Sequence, residues 1–203
     1  HCGYVAPIDV CETKQFVKFQ PTSHYKIKTG GTKMKMSAQQ NIIIDENYVG
    51  LNDVGLNYEL SGDLVVAGSL KIKLIKRLRV SGSIEAGGSI EAERSIEAGG
   101  DIKVGGSIEA ERSIKAVRGI DVKGGIEAGE GIKAGWGIKA GLFLKCKLVI
   151  KCAYNIFAGT AIWKKAEGED MVVEAKLVDG NVKYGTVRLL SEKDEKVKTI
   201  PTN

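Results

Sequence analysis

An aliphatic residue returns at every sixth position through the middle of this chain: Leu78, Ile84, Ile90, Ile96, Ile102, Ile108, Ile114, Ile120, Ile126, Ile132, Ile138, Leu144, Ile150, Ile156 and Ile162. Two residues after each sits a second, usually smaller apolar residue, from Val80 and Ala86 to Cys146, Cys152 and Ala158. A spacing of two belongs to one side of a β-strand, so in Ile84-Glu85-Ala86 the isoleucine and alanine face inward and the glutamate outward. The pair that follows, such as Gly-Gly or Glu-Arg, marks a corner. So short a strand buries little by itself, and a run of strand-plus-corner units has to coil and stack turn upon turn.

The corners set the length of a turn. Ser89 to Arg94 reads SIEAER, and the same letters return at Ser107 to Arg112, while the glycines at Gly87 and Gly88 return at Gly105 and Gly106. Both offsets are three hexads. A turn of two hexads would instead stack Gly99-Gly100 on Glu111-Arg112, a poor match. The expected fold is all-β, a three-sided single-stranded β-helix (a solenoid) in which Glu85, Lys103, Asp121 and Lys139 form an alternating ladder on one face. About five turns at the 4.7–4.9 Å strand spacing would stand roughly 24 Å tall. Upstream, Tyr58 with Leu60, Leu64 with Val66 and Leu70 with Ile72 continue the pattern, which slips by two positions between Lys71 and Lys76. The expected organisation is an N-terminal β cap over 1–57, the solenoid over 58–163, and a C-terminal hairpin and tail over 164–203.

These hexads resemble those of the β-solenoid proteins, particularly the bactofilin-like polymer-forming group and a set of GSIEAG-repeat proteins of phages and mobile elements. The resemblance covers Tyr58 to Trp163. It implies architecture firmly and function hardly at all. In the left-handed hexapeptide acyltransferases the small residue precedes the aliphatic one by two. Here it follows, as in Ile84-Glu85-Ala86, and acyltransferase kinship is disfavoured.

The ends carry the residues with interaction potential. Tyr25 to Met36 reads as a hairpin about Gly30-Gly31 that places Lys26, Lys28, Lys33 and Lys35 on one face. Like charges so opposed are unfavourable, and the face suits an anion or an acidic protein surface; four solvated lysines are the plain alternative. Lys71, Lys73, Lys76, Arg77 and Arg79 make a second basic cluster at the start of the solenoid. Together they would form a basic pole for a host protein, such as a nucleic-acid-handling defence complex, in the phage-inhibitor reading that the resemblance suggests. Direct nucleic-acid binding is disfavoured because aromatic residues for base stacking are nearly absent there. Toward the other end Trp136, Leu142, Phe143, Leu148, Val149, Tyr154, Phe157 and Trp163 take positions held earlier by small or charged residues, with Trp136 beneath Tyr154. Outward apolar residues need cover. It would come from the C-terminal segment, where Met171 to Leu190 reads as a hairpin turning at Asp179-Gly180, or from self-association in a homo-oligomer.

Little points to catalysis. His1 and His24 are the only histidines, so no positioned base, metal set or catalytic residue is expected, and no cofactor. Cys146 and Cys152 take the inward position that alanine holds elsewhere and read as small core residues; Cys2 and Cys11 form the other pair. Disulfides would mean secretion, whereas free buried thiols suit the cytoplasm, the compartment expected here. The chain begins at His1 rather than Met, which leaves secretion open. No apolar run is long enough for a membrane helix. With a net charge of only +5, charge by itself names no partner. The expected function is a non-enzymatic scaffold or protein-binding module.

Overall fold

The computed structural model describes residues 33–36, as a backbone strand, and 41–191. Short strands start at the aliphatic positions, among them Ile84–Ala86, Ile90–Ala92, Ile96–Ala98, Ile102–Val104 and Ile108–Ala110. In each, the two apolar residues are buried and the residue between them is exposed or half-exposed. Pairing is parallel and joins Leu78 to Ile96 to Ile114, Ile84 to Ile102 to Ile120, and Ile90 to Ile108 to Ile126, so that each turn comprises three hexads and three strands. We call the face carrying Ile96–Ala98 the first, that carrying Ile102–Val104 the second and that carrying Ile108–Ala110 the third. The strand Val149–Phe157 runs through one corner and joins the first two faces into a 14-stranded sheet; the third face has 8 strands. At about 4.8 Å per rung this makes a prism about 34 Å tall, two turns more than the hexad count suggests. Down its axis the isoleucines stack in columns with almost no solvent contact, each worth about 1.5–3 kcal/mol relative to exposure.

The Gly-Ser pairs ahead of the isoleucines form hydrogen-bond ladders. At the corner between the second and third faces, Ser69 N–H donates to Asn41 Oδ1, Ser89 N–H to Ser69 Oγ, Ser107 N–H to Ser89 Oγ and Gly125 N–H to Ser107 Oγ, each at 3.1 Å. At the corner between the first and second faces, Ser83 N–H donates to Asp63 Oδ1, Asp101 N–H to Ser83 Oγ and Gly119 N–H to Asp101 Oδ1. A corner N–H that no strand partner can reach is thus taken by a side chain one turn below. The glycine before the serine serves the same contact. A Cβ on Gly88, Gly106 or Gly124 would fall on the Oγ of Ser69, Ser89 or Ser107, respectively. These two side-chain ladders stop at Gly119 and Gly125, and Trp136 and Phe143 appear in the next turn.

The irregularities lie at the two ends. Leu70 pairs with Ile90, two positions beyond the regular turn, so the slip in the pattern is a longer corner over 73–76 with Leu74 buried in it. The solenoid starts before residue 58. Ile42–Ile44 pairs in parallel with Leu70–Ile72, and Asn52–Val54 closes the first face as the antiparallel partner of Asn57–Leu60 through a turn at Gly55. At the far end the hexad count fails after Ala158. Gly159, at a φ of +81°, turns the chain out of the stack, and Leu144 pairs with Val173. Ile162, which the periodicity places in the core, is 99% exposed.

The expected C-terminal hairpin is absent. Leu177–Tyr184 runs unbroken through Asp179-Gly180 and pairs in parallel with Val149–Phe157. Thr186–Leu189 pairs in parallel with Val172–Ala175 as a last rung of the third face. Parallel stacking pairs the upper edge of Val149–Phe157 on both sides of the corner at 152–154, an edge that a self-paired hairpin would leave open. Gly180 forms a tight corner instead, and a Cβ there would meet Cys152 Sγ at 2.9 Å.

Candidate interaction surfaces

Outward residues lie directly above one another, so each face is a column of charges. The second face carries the expected series Glu85, Lys103, Asp121 and Lys139. On the first face Glu97 lies between Arg79 and Lys115, with Lys115 Nζ 2.9 Å from its carboxylate. Partial burial pushes the Glu97 carboxyl up, but the hydrogen bond and charge of Lys115, with the charges of Arg79 and Arg77, outweigh it and leave it below the usual value. Like charges also stack: Glu91, Glu109 and Glu127 on the third face, and Lys115, Lys133 and Lys151 on the first.

Four of the five basic residues singled out at the start of the solenoid are paired with acidic side chains, and Lys73 is exposed. Lys71 is paired with Glu91 at 2.6 Å, Lys76 with Asp53 at 2.5 Å, Arg77 with Glu97 at 3.4 Å and Arg79 with Glu59 at 3.4 Å. Lys71 lies on the third face and Arg79 on the first. Lys33 and Lys35 lie on a strand whose backbone pairs in parallel with Asp63–Val66. Lys26 and Lys28, and with them the lysine hairpin, fall outside the described residues.

The late apolar residues divide into two groups. Leu142, Phe143, Val149 and Phe157 are half-buried. Phe143 lies over Gly125, where a Cβ would be 2.5 Å from its ring, and Val149 lies over Gly131. The loop leaving at Gly159 covers this side: Gly159 N–H donates to the Leu142 carbonyl at 2.8 Å, and Trp163 reaches back to Gly141. Trp136, Leu148, Tyr154 and Trp163 remain exposed. Tyr154 N–H donates to the Trp136 carbonyl at 2.9 Å, and the Arg118 guanidinium lies 5.9 Å from the Trp136 ring, so Arg118, Trp136 and Tyr154 stack at one corner. An open groove of about 320 Å³ runs beside Tyr154, lined by Lys103, Asp121, Lys139 and Phe157.

The most exposed part of the core is one the hexads did not reveal. Val173 and Ala175 are 0% exposed, yet Val187 and Leu189, their register partners in the last rung, are 45% and 61% exposed. Leu177 and Tyr184 on the adjoining strand are also exposed. The columns of the solenoid end here without a lid among the described residues. The alternation in Thr186-Val187-Arg188-Leu189 is a legible strand signal, but the longer and unequal spacings of the preceding turn hide its register from a count of sixes.

No protein-family model, curated protein or solved structure matches this chain. Among the described residues no three histidine, cysteine or acidic side chains are placed to hold a metal ion, and no helix is long and apolar enough to cross a membrane. Cys146 and Cys152 are free thiols in the core. Burial pushes the Cys146 thiol up to about 11 and raises that of Cys152, which keeps both from acting as thiolates near neutrality.

A cluster of ions ties the outer loop to the last rungs of the third face. Arg188 bonds Glu169 and Glu174, and Lys145 Nζ lies 2.9 Å from Glu169. Hydrogen bonds from Arg188 and then Lys145 hold the Glu169 carboxyl at about 2, below its ordinary 4.5. A depressed carboxyl stabilises the fold above its unfolded value, and that contribution disappears as pH falls through the folded value. Stability is therefore expected to decline between pH 4.5 and about 2. Glu169→Gln should flatten that part of a melting-temperature profile, and high salt should shrink the difference because the cluster is exposed. An identical profile for the variant would show that the cluster does not contribute.

Proposed function

We propose that this protein is a non-enzymatic β-solenoid scaffold that self-associates. The uncovered last rung supports this reading most directly. Val187 and Leu189 continue columns whose members one layer below are sealed, and among the described residues their strand forms an open β-edge. Such an edge is a template for another strand, and an exposed end of a core is a surface to be covered. The stacked side-chain ladders and regular rungs suit a rigid spacer. The resemblance to polymer-forming solenoids points the same way. The ion pairs of Lys71, Lys76, Arg77 and Arg79 give less support to recognition of a heterologous partner through a basic pole.

Light scattering on size-fractionated protein across concentration and salt is the test. The expected mass is a multiple of 21.8 kDa that is insensitive to salt, because an apolar and backbone contact is not screened. A 21.8 kDa species at every concentration would overturn the reading.

A further inference from the structure

We infer that self-association takes one form: two copies meet at their C-terminal ends about a two-fold axis, with Thr186–Leu189 pairing antiparallel to the same strand of the second copy. The inference rests on the self-association reading and specifies the partner and its geometry. Three observations select this occupant for the open end.

The first is the shape of the two ends. The last rung is short: the chain between Val172 and its partner Thr186 is half as long as that between Ile42 and its partner Leu70 in the opening turn, which includes a hairpin. A tail stacked on the head of a second copy would join unlike perimeters and meet the antiparallel strand Asn52–Val54 on the first face. The tail matches another tail. Contact between identical surfaces about a two-fold axis closes on itself, so the assembly stops at two.

The second is strand direction. Turning a parallel solenoid about an axis perpendicular to its stack reverses the direction of its strands. With the axis through the third face, Thr186–Leu189 meets its own copy antiparallel, and the first-face part of Leu177–Tyr184 meets the second-face part of the other chain. A register that sets Val187 of one copy opposite Leu189 of the other keeps both apolar residues on the core side. It also brings the two Arg188 side chains together outside, each already bonded to Glu169 and Glu174.

The third is the sequence that follows. Every residue from Glu192 to Lys196 is charged, and this stretch lacks the alternating apolar pair that another rung of this chain would need. A second copy supplies that pair.

The test compares the full chain with Val187→Asp/Leu189→Asp, whose changed residues are already half-exposed, and with single-cysteine variants at the two ends. The parent is expected to hold twice 21.8 kDa over a wide concentration range and the double variant 21.8 kDa, with an unchanged β-sheet circular dichroism spectrum. Under mild oxidation Arg188→Cys should give a covalent dimer beyond the parent background, and Leu56→Cys, in the turn at the opposite end, should not. This second readout holds even if the double variant fails to fold. An open-ended polymer, a dimer that survives the aspartates, or cross-linking through Leu56 in place of residue 188 would overturn the two-fold tail contact while leaving a self-associating scaffold. A monomeric parent would overturn both.

Discussion

Ile108→Ala is expected to cost about 2–5 kcal/mol in chemical unfolding, whereas Ile162→Ala should cost almost nothing. Both residues belong to the same series of sixes. Ile108 lies between Ile90 and Ile126 on the third face and is 1% exposed, so alanine there removes packing from two rungs at once and leaves a void that a stiff stack closes poorly. Ile162 points into solvent from the outer loop. In a solenoid each rung rests on its neighbours, so the Ile108 defect should also lower protection of backbone amides in the adjoining turns. Equal losses in the two variants would mean that the hexad count, rather than the observed pairing, describes the core.

Gly106→Ala is expected to destabilise by about 2–4 kcal/mol, more than its half-buried corner position suggests. The added methyl would occupy the place of Ser89 Oγ and lie 2.9 Å from the Ser89 nitrogen. The corner must then shift, at about 1–3 kcal/mol for local strain. The bond from Ser107 N–H to Ser89 Oγ is lost with it, at about 0.5–1.5 kcal/mol. Ser89→Ala removes only the bond. The two changes should be less than additive in the double variant, because the alanine at 89 vacates much of the space that the methyl needs. Gly55→Ala makes a useful contrast: nothing lies within 4 Å of its Cβ position, and any loss there comes from its φ of +59° alone. Strict additivity of Gly106→Ala and Ser89→Ala would show that the glycine is needed for its own backbone and not to make room for the ladder.

Legibility differs along the chain. From Leu78 to Ala158 the spacing of two and six and the return of corner pairs after three hexads specify the rungs, their register and the charge columns, because each residue's stacking partner is a copy of its own motif. The serines are equally visible, but their role is not. That Ser89 Oγ receives an N–H from Ser107 depends on the stacking of two corners, which no local pattern states. The basic cluster near residue 75 is legible as a list of cations. The pairing of four of its five members with Asp53, Glu59, Glu91 and Glu97 follows from how the longer opening turns stack, which spacing along the chain does not state.

The C-terminal end marks the boundary most clearly. Asp179-Gly180 between apolar alternations carries a strong local hairpin signal, and it lost to the unpaired edge of Val149–Phe157, which Leu177–Tyr184 could satisfy only by running parallel to it. Local turn preference contributes little beside a row of backbone hydrogen bonds, and the open row exists only once the turns below have stacked. Residue order alone specifies a three-sided stack of three-hexad turns, because periodic burial and corner chemistry agree at every repeat. Where the period breaks, at the outer loop and the shortened last rung, the stacked turns themselves settle which strand lies on which and leave Val187 and Leu189 uncovered by any described residue, because register there is set by the edge already built and not by spacing along the chain.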